Sequence, residues 1–261
     1  MSDKIVSRTE AGIGHIVFNN PEKRNAVSLE MWQEVEQALD RFAADDGVRV
    51  VVLSGAGGKA FVSGADISKF ENERSTAAEV EHYNATTARL YEKMTGFAKP
   101  TIAQITGSCV GGGVALAVCC DLRICGEGSR FAIPAAKLGL GYGFGGLNRL
   151  VQLVGPSFAK ELFFTARLFS SAEAHQMGLV NRVVPDDQVE AYVADYARMI
   201  TENAPLTIGS VKAIVGEALK DPASRDLERC AALVDACYAS QDYIEGRRAF
   251  MEKRKPQFVG A

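Results

Sequence analysis

Two glycine-containing segments stand where backbone amides could be put to chemical use. Ser63-Gly64-Ala65-Asp66-Ile67 follows a β-branched run and a Gly-rich loop, and Gly107–Gly113 leads into the small-residue run Val114–Cys120. Amides at a helix start have no intrahelical acceptor and point outward, which suits an anion or a developing oxyanion. A helix is expected to begin near Ala65, with Asp66 favouring its positive end as a cap. Three consecutive glycines, Gly111 to Gly113, let a ligand come very close to the backbone. Each segment alone also has a plain structural reading: the first as a turn, the second as close helix packing. The second lacks G-K-[ST] and does not have G-x-G-x-x-G spacing, so neither a Walker loop nor a dinucleotide fingerprint is present. Together, two amides that each follow a buried strand are the donor pair of an oxyanion hole.

The elements that must position these amides are legible around them. Ile5–Arg8 and His15–Phe18 flank the turn residues Ala11-Gly12 and predict a hairpin. Ser28 is placed to cap a helix whose apolar stripe is Leu29, Trp32, Val35, Leu39 and Phe42. Val48–Ser54 is a continuous β-branched run, as in a strand buried on both faces. Residues 68–97 have helical spacing (Val80, Tyr83, Thr87, Leu90, Met94), and Thr101–Thr106 and Leu122–Cys125 read as further strands. Helices are expected at Leu147–Val154 and, after Pro156, near Phe158–Phe164. Ser170 and Glu173 form a capping box that starts a helix ended by Gly178. Strands alternate with helices to about residue 185, where Leu179–Val184 is the last strand, and helices alone follow. The expected division is a core over residues 1–200 and a helical C-terminal region over 201–261.

Composition narrows the class. The net charge of −3 offers no basic field for nucleic acid. Six cysteines show neither C-x-x-C nor a His at metal spacing, so buried free thiols are expected rather than a disulfide frame or a metal site. MSDKIVSRTE has no apolar h-region, and the apolar run Val114–Cys120 is too short to span a bilayer. A cytoplasmic protein without nucleic-acid or membrane partners is the expectation.

The chain resembles the crotonase (enoyl-CoA hydratase/isomerase) superfamily. The matching segments are Asn20–Ala26, Val48–Gly55, Gly58–Ile67, Lys99–Gly113, Cys120–Arg123, Leu138–Gly146, Leu162–Arg167, Ala172–Pro185 and Glu245–Phe258, which span nearly the whole sequence. The resemblance implies an α/β fold, a crotonase-like ββα spiral with a C-terminal helical oligomerisation region that builds trimers or dimers of trimers. It implies an acyl-CoA thioester whose carbonyl lies between the amides of Ala65 and Gly112. It implies no separate cofactor, because coenzyme A is part of the substrate. The CoA contacts carried over are Lys23, Arg24 and Ala26, then Gly64, Asp66 and Ile67. The phosphates are expected to meet Lys23 or Arg24 locally, and Lys253 or Lys255 with Phe250 and Phe258, in the same or a neighbouring subunit. Ala115, Pro134 and Ala135 fall on the acyl pocket.

The chain departs from its relatives where they keep their acid and base. The hydratase glutamate two residues after the glycine triplet is Ala115 here, and the second, after Pro134, is Ala135. The aspartate of some isomerases is Gly143. An alanine methyl neither takes up nor releases a proton, so hydration by paired carboxylates is excluded at these positions. Tyr142 occupies the place of a tyrosine in the methylmalonyl-CoA decarboxylase branch, or it simply lines the pocket. Three readings follow. The first is an enolate-forming enzyme that needs no base, such as a decarboxylase of malonyl-type thioesters. The second is a hydratase whose acid and base are relocated to Glu71, Glu73, Glu79, Glu81, His82 or Tyr83. The third is a non-catalytic acyl-CoA-binding scaffold. His15 and His175 are expected to be structural.

Overall fold

The structure is a computed structural model that describes residues 3–69 and 73–261. Among the described residues ten strands lie in two sheets. The larger holds β1 (Ile5–Glu10), β2 (Ile13–Phe18), β3 (Val50–Gly55), β5 (Thr101–Ile105), β7 (Leu122–Gly126) and β10 (Arg182–Val184), in the order β1-β2-β3-β5-β7-β10. The smaller holds β4 (Ala60–Val62), β6 (Ser108–Val110), β8 (Arg130–Ala132) and β9 (Phe169–Ser170), in the order β4-β6-β8-β9. Only the β1–β2 hairpin and the β8–β9 pair are antiparallel. Each successive pair β3–β4, β5–β6 and β7–β8 gives one strand to each sheet, which is the expected ββα spiral.

The helices are α1 (Leu29–Ala44), α2 (Ala77–Thr95), α3 (Gly112–Ala117), α4 (Phe144–Thr165), α5 (Ser171–Gln176), α6 (Val189–Thr201), α7 (Pro205–Ala218), α8 (Leu227–Ala239) and α9 (Gln241–Glu252). Ser28 caps α1 through its Oγ, which accepts the Met31 amide. The Ser170–Glu173 capping box opens α5, and a second box, Thr76–Glu79, opens α2. The two expected helices around Pro156 are joined as α4 but break at Gly155, whose φ is 73°.

The apolar run of β3 is buried on both faces for a visible reason. Val51 and Leu53 join the main core with α1, α2 and the small sheet, while Val50 and Val52 pack with Ile102 and Ile124 against Val189, Val193 and Ala197 of α6. The first helix after β10 therefore covers the outer face of the large sheet. Beyond it, α7 packs on α8, and Lys212 of α7 reaches back to Asp121 at 2.7 Å. The tail is tied down as well: the Asp242 carboxylate accepts the amides of Val259 and Gly260, and Arg49 donates to the Phe258 carbonyl. All six cysteines are free thiols, and Cys109, Cys119, Cys120 and Cys125 are buried. No helix among the described residues is long and apolar enough to cross a membrane.

Candidate active site

The two glycine segments meet because β4 and β6 are parallel neighbours in the small sheet and end side by side. A Cβ added to Gly111 would lie 3.8 Å from the Gly64 Cα, and one added to Gly64 would lie 3.4 Å from the Val110 carbonyl oxygen. Gly111 holds φ 55°, ψ −114°, and this turns the chain from β6 straight into α3. Its own amide donates to Ala132, and its carbonyl accepts from Ala115. The Gly112 amide is the first of α3 and has no acceptor within the helix.

Ala65 is presented differently from the expectation. Among the described residues no α-helix starts there, and a 3-10 turn, Ile67–Lys69, follows. A parallel bridge with Val27 fixes the segment instead, with the Val27 amide donating to Gly64 and the Asp66 amide donating to Val27. The Ala65 amide between them takes no part in the bridge. Gly64 (φ 111°) provides the turn that the helix start was expected to supply.

Both amides open onto a cleft of about 2460 Å³ that continues to the C-terminal helices. This exceeds the roughly 300–1,000 Å³ of a single small-molecule site, and only the part around the amides bears on the acyl chemistry. Gly64, Ala65, Ile67, Gly112, Ala115, Pro134, Ala135 and Tyr142 all line it, as the sequence predicts. Lys23, Arg24, Ala26 and Asp66 do not. The Asp66 carboxylate is buried and turned inward, where it accepts from Lys23 Nζ at 2.9 Å and from Ser68 Oγ at 2.6 Å. Burial alone would raise its pKa, but these bonds outweigh burial and hold the carboxyl below its usual range. Arg24 is exposed and left-handed (φ 52°), beside Asn25, whose side chain donates to Ala56 and Ala60 and knits the loop to β4. Phe250 and Lys253, at the exposed end of α9, do not reach the cleft of their own chain.

The relocated acids and bases sort out clearly. Glu73 accepts the Leu29 amide at the start of α1, and Glu79 is spent in the α2 capping box. Glu81 and His82 are exposed and do not line the cleft, and Glu71 lies outside the described residues. Among the five that are described, only Tyr83 reaches the cleft. Its hydroxyl accepts from Trp32 Nε1 at 3.0 Å. His15 is half-buried in the hairpin, and burial lowers its pKa, while His175 Nδ1 lies 3.2 Å from the Val180 carbonyl oxygen. Both are structural.

Two residues escaped the sequence reading. Arg74 lines the cleft with its guanidinium 3.5 Å from the centre of the Tyr83 ring. Tyr91, two turns beyond Tyr83 on α2, lies edge-on to Trp32 and beside Gly112. The signal was present as a stripe, Val80, Tyr83, Thr87, Tyr91 and Thr95, at helical spacing along one face of α2. Burial pushes the Tyr91 phenol well above the ordinary range and raises that of Tyr142, which packs edge-on to Phe163 with ring centres 4.8 Å apart. The Arg74 charge opposes the rise at both phenols, so it lies within electrostatic reach of both.

Carboxylates of the wider cleft stand elsewhere. Asp46 and Asp121 precede strands of the large sheet, Asp121 being held by Thr101 and Lys212, and Glu217 and Asp221 belong to the C-terminal helical region. Glu92 is exposed.

Such a pair of amides, at the ends of adjacent parallel strands in a ββα spiral, agrees with what comparison finds. The family profile described as Enoyl-CoA hydratase/isomerase matches residues 8–261. The chain belongs to the enoyl-CoA hydratase/isomerase family. It is 34% identical over 257 residues to a crotonyl-CoA hydratase of Syntrophomonas wolfei, covering 98% of each chain. It is 38% identical to a putative enoyl-CoA hydratase of Thermus thermophilus, covering 96% of this chain and 99% of the relative. A crystal structure of an enoyl-CoA hydratase/carnithine racemase from Magnetospirillum magneticum superposes with a TM-score of 0.93 at 36% identity, covering 100% of this chain and 97% of the other. The chain is thus an acyl-CoA-processing enzyme of this family.

Proposed function

We propose that this member of the family releases CO₂ from a malonyl-type acyl-CoA, using the amides of Ala65 and Gly112 to hold the thioester enolate. The observation that carries the reading is the chemistry of the lining. Around the two amides stand Ala115, Ala135 and the phenols of Tyr91 and Tyr142, both shifted upward. A phenol in that state is a proton donor and not a base at neutral pH. Water addition needs a base to activate water, whereas decarboxylation needs none. The C–C bond to the carboxylate breaks, its electron pair passes into the enolate, and the thioester oxygen takes the charge. The alanine methyls keep the departing carboxylate poorly solvated. Tyr142 orients that carboxylate by a hydrogen bond, and Arg74 supplies the positive charge that favours an anionic acyl group.

Hydration is the activity in the names of the relatives, so the deciding experiment sets the two reactions side by side. The purified enzyme is to release CO₂ from malonyl-CoA or methylmalonyl-CoA and leave crotonyl-CoA essentially unhydrated. Tyr142→Phe should lower CO₂ release about tenfold, the worth of one hydrogen bond to a charged group. Rapid hydration of crotonyl-CoA would overturn the reading; CoA binding without turnover of any thioester would favour a scaffold.

The functional unit is proposed to be a homo-oligomer, a trimer or a dimer of trimers. Supporting this, α7–α9 and the rim of the cleft expose large apolar side chains, among them Val211, Leu227, Tyr238, Phe250, Met251, Phe144 and Phe164. Phe250 and Lys253 would then meet the CoA of a neighbouring subunit. Light scattering should give a multiple of three times the 28.0 kDa chain; a monomer would refute it.

A further inference from the structure

The decarboxylation leaves an enolate, and the α-carbon must then receive a proton. Two phenols, Tyr91 and Tyr142, line the cleft with the oxyanion-hole residues, and Tyr91 is the one that stands against Gly112. A Cβ built on Gly112 would come within 3.8 Å of Tyr91 Oη, the nearest polar side-chain atom. The Tyr91 ring is fixed edge-on by Trp32, with ring centres 6.2 Å apart. Among the described residues its hydroxyl makes no hydrogen bond, and the Thr95 hydroxyl donates to its backbone carbonyl instead. The other donors have roles of their own, Tyr142 being given to the departing carboxylate in the proposed reaction. Tyr83 Oη is held by Trp32 Nε1, and the Cys119 thiol donates to the Ala115 carbonyl at 3.2 Å, with burial pushing its pKa up to about 11.

We propose that Tyr91 is the proton donor to the α-carbon of the enolate. The inference rests on the decarboxylase reading and adds the second half of the reaction. The O–H bond of Tyr91 breaks, a C–H bond forms at the α-carbon, and the enolate charge moves to the phenolate oxygen. The carbon of a thioester enolate is far more basic than a phenolate, so the transfer is downhill even from a phenol whose pKa has risen. Solvent reached through the open cleft then returns a proton to Tyr91. Because the ring approaches from one side of the oxyanion hole, the proton is delivered to one face only.

The test uses methylmalonyl-CoA in D₂O with the full-length enzyme. Wild type is to give propionyl-CoA carrying one deuteron in a single configuration. Tyr91→Phe keeps the ring against Trp32 and removes the acid. CO₂ release should fall but remain measurable, because solvent can still protonate the enolate, and the deuteron should be scrambled between both configurations. Tyr91→Met, which also lacks a hydroxyl, is to scramble in the same way and stands in if the first variant does not fold. Stereospecific product from either folded variant overturns the role of Tyr91 and leaves the decarboxylase reading intact. Failure of wild type to release CO₂ overturns both.

Discussion

Gly112 and Ala65 present the same chemical group to the same space, but the chain is built differently around each. The Gly112 arm is a strand that runs into a helix without slack. Gly113 lies so close to β4 that an added Cβ would sit 2.2 Å from the Val62 carbonyl oxygen. Here the amide is fixed by packing that admits no side chain. The Ala65 arm is followed, among the described residues, by a 3-10 turn. A bridge to Val27, one glycine turn and the Lys23–Asp66–Ser68 cluster hold it in place. Close packing fixes one donor, and hydrogen bonds and charge fix the other. The second kind of support answers to solution conditions in a way that the first does not.

This difference can be broken from either side. Gly113→Ala should cause the largest effect, because backbone must move to admit the methyl. A loss above the about 1–3 kcal/mol typical of overpacking is expected in urea denaturation, and a neutral result would show that α3 is free to slide. Gly64→Ala meets no such wall, its nearest contact being 3.4 Å, but it must keep φ near 111°. That conformation costs about 1–3 kcal/mol, and the same denaturation series should rank it below Gly113→Ala. The reverse order would place the tighter constraint on the Ala65 arm.

Asp66→Asn should have the smallest effect at neutral pH, at most about 1 kcal/mol, since its partner Lys23 is 43% exposed. Its signature is pH dependence. The folded carboxyl titrates below its unfolded value, so its contribution is present above about pH 4 and is lost as pH falls through the lowered folded pKa. Stability curves of wild type and Asp66→Asn should therefore converge on acidification, while Gly113→Ala stays offset from wild type throughout. Parallel wild-type and Asp66→Asn curves would remove Asp66 from the account.

What could be read in the sequence follows from how local each signal is. The Ser28 cap, the stripe of α1 and the β-branched run of β3 each lie within one short window, and all were placed within a few residues. Strand β6 was read as part of a glycine loop, because Ser108–Val110 is three residues between glycines and is a strand only through its pairing with β4 and β8. The same holds for the Ala65 arm. A turn followed by Asp looks like a helix start, and the bridge to Val27 that replaces the helix joins residues 38 positions apart. At the site, the two amides and the two alanines were legible through the resemblance. Tyr91 and Arg74 were not, because their importance comes from which face of α2 turns towards Gly112. Lys23 was read as a CoA contact through the resemblance, and its pairing with the buried carboxylate of Asp66, 43 residues on, was not visible in the sequence.

Trp32 is the only tryptophan in the chain. Its indole touches the space above Gly112, donates to Tyr83 and meets the edge of Tyr91. The protein therefore holds its single indole fluorophore against its own oxyanion hole. Its emission reports on one place only, and ligand arrival at the acyl site is written into the spectrum without any added label.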